Sequence, residues 1–302
     1  MEYSKGVAHI FQGQFDEAAS CLNRALTIRQ ETLGPMDSAV GDTLNTIGFL
    51  QLKMGNIKGR DALDPFMEAL EIRRSVGNLG KVVSTLQNIA SLYKKRKDYE
   101  SCIEVNADIL VVRQEDFGPN HERVAEAWIN LGNVQASAGK LEEARMSYEE
   151  ALRIRTVKFG YHHRLVAHIL FKIGSLNLRQ NNFDDAKQLF EEYIRIRAEE
   201  ECDPDEEMAQ ALTFMGDMQK ETGEKSKAQI NWMSAIEIYQ QLGYEDDHDK
   251  IMRLYARQKS LGMLFGLGGV HRRKSVDNLS VLGLIFGGDD NASTVSKLTM
   301  GL

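Results

Sequence analysis

Three asparagines, Asn88, Asn130 and Asn133, are the side chains whose type and spacing best suggest a chemical role in this 302-residue chain. An amide side chain both donates and accepts hydrogen bonds, so it can pair with the N–H and C=O groups of a peptide backbone. Asn88 and Asn130 stand 42 residues apart, a spacing that recurs along the chain. The pattern therefore predicts hydrogen bonding to a peptide.

Other polar and aromatic residues occupy neighbouring positions on the same predicted helices. If these helices line a groove, Phe49 and Phe214 would be its apolar anchors. The full set of candidate groove residues is Asn45, Phe49, Gln87, Asn88, Ser91, Asn130, Asn133, Lys172, Ser175, Phe214 and Asp217. The alternative for each residue is an ordinary solvated helix position, and the sequence leaves both interpretations open.

The sequence contains no nucleophile–base pair within a catalytic motif. The linker histidines His121, His162 and His163 are interpreted as structural, and a metal site formed by His162, His163 and His168 is the less favoured alternative. We therefore predict a protein that is not an enzyme, has no cofactor and holds no metal.

Composition and charge restrict the location and the partners. The net charge of −7 argues against nucleic acid as a partner over the whole surface. Three widely spaced cysteines without a C-x-x-C pair are typical of a reducing, intracellular environment. No stretch approaches the roughly 20 apolar residues of a membrane helix. These features predict a cytoplasmic protein with a protein or peptide ligand, no nucleic acid and no membrane.

Two series of regularly spaced glycines, which we call the glycine ladder, indicate the helices that must position these residues. One series repeats every 42 residues, at Gly6, Gly48, Gly132, Gly174 and Gly216, with Ala90 in the missing position. A second series is Gly13, Gly55, Gly139 and Gly223, with Lys97 and Asn181 in the missing positions. Such self-similarity indicates stacked helix–turn–helix units. The first series predicts close helix packing, and the second predicts left-handed residues that end the first helices.

The second helix of several units ends in an apolar–x–apolar–Arg signature, at Arg29, Arg155 and Arg197. We interpret these arginines as helix-end charges on a solvated face, in preference to a phosphate-binding ladder. The second unit carries two extra residues around Lys58–Gly59–Arg60, and Asp64 is predicted to cap the helix that follows.

Small residues at these positions, together with the pattern A-L-x-I-R…L-G-P/x-x-H…V-A, resemble tetratricopeptide repeats. The 42-residue version resembles the repeats of kinesin light chains. The resemblance implies an all-α fold, an α-solenoid of about six helix–turn–helix units plus a C-terminal capping helix near 247–264. The expected domains are a superhelix over 1–264 and a flexible tail over 265–302.

The resemblance implies a non-enzymatic scaffold or adaptor that binds a partner peptide or helix in its concave groove. One alternative is a cargo adaptor of the kinesin-light-chain type within a motor or cytoskeletal complex, although no heptad coiled coil precedes the repeats. Another is a binding module regulated by its tail, in which Ser275, after Arg272-Arg273-Lys274, is a phosphorylation site.

Overall fold

The computed structural model describes residues 1–200 and 202–261, and the secondary structure of this part is entirely helical. The predicted tail and its Ser275 lie outside the described residues. The thirteen helices of the described part are α1 Glu2–Phe11, α2 Phe15–Leu33, α3 Ser38–Lys53, α4 Leu63–Val76, α5 Leu79–Arg96, α6 Tyr99–Phe117, α7 Glu122–Ser137, α8 Leu141–Phe159, α9 Arg164–Arg179, α10 Phe183–Glu199, α11 Glu206–Glu221, α12 Lys225–Gln241 and α13 Asp249–Ser260.

The helices follow one another as pairs, from α1 and α2 to α11 and α12, and α13 follows the sixth pair. By contact, the chain divides into an N-terminal body, Met1–Lys158, and a C-terminal body that begins at Phe159. The N-terminal body holds α1 to α7 and nearly all of α8, and the C-terminal body holds α9 to α13. The predicted all-α helical-repeat fold is confirmed.

The first glycine series lies where the two helices of a pair touch. A Cβ atom on Gly132 would stand 2.6 Å from Cε1 of Tyr148, and one on Gly216 would stand 2.5 Å from Nε1 of Trp232. Both distances are shorter than a carbon atom tolerates, so the ring of the second helix occupies the space that a side chain would need. The predicted close packing is confirmed, and the ring that requires it is now identified.

The second glycine series ends the first helices in the left-handed conformation. Gly13, Gly55, Gly139 and Gly223 have φ between 74° and 84°. The two residues that replace glycine in this series, Lys97 and Asn181, have φ of 59° and 63°. The backbone requirement therefore holds even where the glycine is missing.

The prediction that Asp64 caps the second helix of its unit is wrong. Helix α4 begins at Leu63, with Ala62 at the cap position, so Asp64 already lies in the first turn. Its backbone N–H donates to the carbonyl of Arg60, and its carboxylate pairs with the Arg60 guanidinium at 2.6 Å. The helical hydrogen bonding therefore starts earlier than the sequence suggested, and the carboxylate serves an ion pair.

The interpretation of the signature arginines as charges on a solvated face is also wrong, although Arg73 and Arg197 do lie in the last turn of their helices. Arg73, at the same position in the second pair, is only 6% exposed. Its Nη1 donates to the carbonyl of Lys81 at 3.0 Å and to Oγ1 of Thr85, both on α5. Arg29 makes the same contacts with Ala39 and Thr43 of α3. In both cases the guanidinium contacts the first helix of the next pair.

In the C-terminal body, Arg197 of α10 makes a comparable connection. Its Nη2 donates to the carbonyl of Asp203 at 2.9 Å and pairs with Oδ2 of Asp205, the residue that caps α11. The arginines therefore tie a second helix to the start of the following first helix.

None of the helices in the described part is both long and apolar enough to cross a lipid bilayer.

Candidate functional site

The predicted groove residues all lie on first helices, and in the N-terminal body two of them meet across a pair boundary. Asn88 of α5 donates its Nδ2–H to Oδ1 of Asn45 of α3 at 3.1 Å. Both side chains are half-buried. This bond uses one donor of Asn88 and one acceptor site of Asn45, and an amide has further hydrogen-bonding capacity. The pair therefore fixes two amides side by side without exhausting them.

Three more predicted residues of α5 and α7 carry exposed polar groups. Gln87, Ser91 and Asn130 are exposed, and their side chains make no hydrogen bond with the described residues. We call these three residues together with Asn45 and Asn88 the amide surface, which α3, α5 and α7 carry. Its members offer donors and acceptors in nearly equal number and no charge, as a neutral peptide backbone requires.

Asn133, the third asparagine of the predicted cluster, serves the fold. The hydroxyl of Tyr148 donates to its Oδ1 at 2.9 Å. Tyr148 is the ring that packs on Gly132. Because Asn133 directly follows that glycine, its amide is placed to satisfy the hydroxyl of an otherwise buried ring.

Asp217 of the C-terminal body has the same arrangement. The indole Nε1–H of Trp232 donates to its Oδ1 at 3.1 Å, and Nε of Arg257 on α13 lies 2.8 Å from the same oxygen. Burial raises the pKa of this carboxyl and outweighs the arginine and the indole, which lower it. Asp217 follows Gly216, as Asn133 follows Gly132, and so it too accepts from the ring on its glycine.

The ring partner explains which polar residue follows a ladder glycine. Gly174 is covered by Phe190, a ring without a polar atom, and the next residue is Ser175. The Ser175 hydroxyl donates to the Phe171 carbonyl within its own helix at 2.8 Å. The signal was present in the sequence, because Tyr148, Phe190 and Trp232 each stand 16 residues after a ladder glycine.

Lys172, predicted to line the groove, belongs to an ionic cluster. Its Nζ lies 3.3 Å from Oε1 of Glu207, and Nδ1 of His168 lies 2.8 Å from Oε2 of the same carboxylate. Burial raises the pKa of Glu207, but the hydrogen bonds and charges of His168 and Lys172 outweigh burial and lower it. The cluster links α9 to α11.

The two predicted aromatic anchors are half-buried. The Phe49 ring has the Lys53 Nζ 5.3 Å from its centroid, and the Phe214 ring lies 5.6 Å from the Phe190 ring. Each keeps part of its ring exposed.

Sequence reasoning missed a cleft in the C-terminal body. It has a volume of about 320 Å³ and is lined by Leu178, Phe183, Asp217, Met218, Lys220, Glu221 and Arg257. Its residues come from four helices, so no local sequence pattern could have predicted it.

The histidines of the alternative metal site have separate partners. His162 lies 2.9 Å from Glu199, and His168 contacts Glu207. His163 accepts a hydrogen bond from the backbone N–H of Leu165 and thereby caps α9. Within the described residues, no group of three potential ligands is assembled. A histidine cap of the same kind begins α7 and α13.

Comparison with known proteins finds a family model that matches more than half of the chain. The family model described as "Tetratricopeptide repeat" matches residues 1–75, 82–156 and 124–199. The chain is also 26% identical over 146 residues to Protein KINESIN LIGHT CHAIN-RELATED 1 of Arabidopsis thaliana. That match takes in 47% of this chain and only 23% of the relative's own length.

Two solved structures share the fold. BtubC (BKLC) from P. vanneervenii has a TM-score of 0.55 and 18% identity, over 87% of this chain and 98% of that one. The apo form of RapI has a TM-score of 0.59 and 15% identity, over 86% of this chain and 73% of that one. At these identities the similarity concerns the fold alone.

Proposed function

Because the chain belongs to the tetratricopeptide repeat family, we propose that it is a non-enzymatic scaffold which holds an extended peptide of a partner protein. Repeat folds of this type present long binding surfaces built from successive units. The observation that carries the proposal is the Asn45–Asn88 amide pair, together with the exposed Gln87, Ser91 and Asn130 on α5 and α7. We propose the cytoplasm as its location.

The proposal assigns the amide surface to the peptide backbone. Uncharged amides and a hydroxyl can bind peptide N–H and C=O groups whatever the side chains of the peptide are. Phe49, at the end of α3, would contact an apolar side chain of the ligand. Binding of this kind would select for an extended backbone first and for sequence second.

In this proposal four other predicted residues stabilise the fold and do not bind the ligand directly. Asn133, Lys172, Ser175 and Asp217 each have a hydrogen bond or ion pair with a neighbouring group. A ligand would have to replace those contacts before gaining new ones. Phe214 keeps an accessible ring and remains the candidate anchor in the C-terminal body.

A second candidate is an adaptor of the kinesin-light-chain type. The similarity to the Arabidopsis protein favours it, and this similarity spans 23% of that relative. The candidate requires the same amide surface to hold a cargo peptide, and it further requires association with a motor. The same purification can therefore test both.

The experiment is affinity purification with the wild type and with the double variant Asn88→Ala, Asn130→Ala. Each lost hydrogen bond is worth about 1 kcal/mol, so we expect the affinity for a groove ligand to fall roughly 10- to 30-fold. Asn23→Ala is the matched control, because Asn23 is an exposed asparagine on the second helix α2. Circular dichroism checks that the three proteins are equally helical.

Recovery of the same partners in equal amounts with wild type and double variant would show that the amide surface does not bind them. A motor heavy chain among the partners lost by the double variant would support the adaptor. Loss of partners from the Asn23→Ala control as well would point to a general effect of removing amides and would contradict the proposal.

A further inference from the structure

Unpaired lysines are gathered at one edge of the N-terminal body. Within Met1–Lys158, Lys5, Lys81, Lys140 and Lys158 each have a carboxylate partner. The lysines of this body that have no carboxylate partner are all exposed, and they lie at the end of α3, in the loop that follows it and at the end of α5: Lys53, Lys58, Lys94, Lys95 and Lys97. We call these five the lysine edge. Their grouping is notable in a chain whose net charge is −7.

The two-residue insertion in the second helix pair completes the lysine edge. Arg96, in the last turn of α5, donates from Nε to the carbonyl of Ile57 and from Nη2 to the carbonyl of Gly59. These bonds hold the inserted loop against the end of α5, and Lys58 lies between the two bonded residues. Lys53 ends α3 just before that loop. The insertion therefore holds Lys58 at the end of α5 that carries Lys94, Lys95 and Lys97.

The carboxylates near this edge are engaged elsewhere or flank it. Asp64 pairs with Arg60, and Asp98 accepts from Ser101 as the cap of α6. Asp61 is exposed beside the loop. Like charges on one edge repel one another, so an anion that lay across them would be favoured over solvent. Among the described residues none of the five has a carboxylate partner, and Lys53 alone contacts an aromatic ring, that of Phe49.

We propose that the lysine edge is a second interaction surface, separate from the amide surface, and that it binds a short acidic segment of a partner protein. Asp61, Asp64 and Asp98 favour such a ligand over a long polyphosphate or an anionic membrane, because a continuous array of charges would extend over these carboxylates. A segment of a few Glu or Asp residues carries its charge over a shorter length. This inference goes beyond the proposed function, since it adds a ligand and a surface.

The test measures the fluorescence anisotropy of a labelled octaglutamate peptide, with octaglutamine as the neutral control peptide. The charge-reversal variant Lys94→Glu, Lys95→Glu should lower the affinity at least about tenfold, because two attractive contacts become repulsive. The matched control is Lys225→Glu, Lys259→Glu, with the same charge change at exposed lysines of the C-terminal body. A second variant, Lys53→Gln, Lys58→Gln, leaves α5 intact and should weaken binding several-fold.

We expect the wild type and the Lys225, Lys259 variant to bind octaglutamate equally and less tightly as salt rises. Equal binding by all four proteins, or no binding by the wild type, would overturn the proposal. Tighter binding of duplex DNA or of phosphatidylserine vesicles through the same lysines would overturn the assignment to an acidic peptide. The Asn88→Ala, Asn130→Ala variant should keep its octaglutamate affinity, so failure here is distinguishable from failure of the amide surface.

Discussion

At the level of single residues, the contact between a ladder glycine and its ring determines what its neighbours can do. Tyr148 and Trp232 bring a polar atom to the covered glycine, and the next residue accepts a hydrogen bond from it. Where the ladder carries Ala90, the residue 16 positions on is Asn106. Asn106 is buried and donates to the carbonyl of Cys102. The smaller partner leaves room for the alanine methyl group.

The same contact predicts the cost of filling a ladder position. In Gly132→Ala the new Cβ would meet Cε1 of Tyr148 at 2.6 Å and the backbone oxygen of Ala144 at 3.2 Å. We expect a loss of roughly 1–3 kcal/mol in the free energy of unfolding, because the helices must move apart. Urea unfolding followed by circular dichroism measures it.

Gly80→Ala is the matched control for that substitution. Gly80 lies in α5 with ordinary φ, and its added Cβ would meet nothing closer than 3.7 Å. Alanine is the better helix former by up to about 1 kcal/mol, so this variant should be as stable as the wild type or more stable. Equal destabilisation by both substitutions would mean that ring contact is not what requires glycine.

At the level of helices, buried arginines join consecutive pairs. Arg73 binds α5 through Lys81 and Thr85, and its Nη2 also pairs with Asp42 of α3 at 2.9 Å. The Arg73 side chain of α4 thus bonds to two first helices, α3 and α5. Removing a buried charged group leaves its partners unsatisfied, which costs more than the bonds themselves contribute.

Arg73→Met should therefore lower the free energy of unfolding by about 2–4 kcal/mol. Arg113→Met is the control, because Arg113 occupies the same repeat position but its guanidinium stands over the Phe117 ring and makes no hydrogen bond with the described residues. Its substitution should cost about 1 kcal/mol or less. Thermal unfolding of the two variants and the wild type measures both losses of stability. A similar cost for the two would show that the inter-helix bonds of Arg73 contribute little.

Helix pairs and their turns could be predicted from the sequence because those features are local. The glycine at position 13 or 139 specifies its own backbone conformation, and the 42-residue period shows where the next copy falls. The contacts between helices could not be predicted in the same way. Whether Arg73 meets solvent or Thr85 depends on where α5 lies, and the contact of Gly132 with Tyr148 shows in the sequence only as a repeated 16-residue separation.

For the candidate site, too, periodicity predicts which helix a residue lies on but does not predict its contacts with other helices. The periodicity correctly placed Asn88 and Asn130 on equivalent first helices, since periodicity determines the helix face. It could not distinguish Asn130, which is exposed, from Asn133, which accepts from Tyr148. That distinction depends on a residue of the second helix. The assignment of the amide surface to a ligand remains a prediction.

At the level of the whole molecule, carboxylates in both bodies link the stability of the chain to pH. Burial raises the pKa of Asp42, but hydrogen bonds from Lys81 and Arg73 outweigh burial and lower it. In the C-terminal body, Glu207 follows the same balance with His168 and Lys172. A carboxyl whose pKa is lower in the folded state binds fewer protons there than in the unfolded chain. Its contribution to stability is complete above the unfolded pKa and is lost as pH falls through the folded pKa.

The free energy of unfolding should therefore fall as the pH is lowered below about 4, near the pKa of an unperturbed carboxyl. Asp42→Asn removes one such group, so the variant should be less stable than the wild type at pH 7, and the gap should narrow below about pH 4. Asp116→Asn is the control, since Asp116 is exposed on α6 and has no ion pair with the described residues. Urea midpoints between neutral and acid pH measure both gaps. An Asp42→Asn gap that stays constant over this range would show that the Asp42 carboxylate does not stabilise the fold through Arg73 and Lys81.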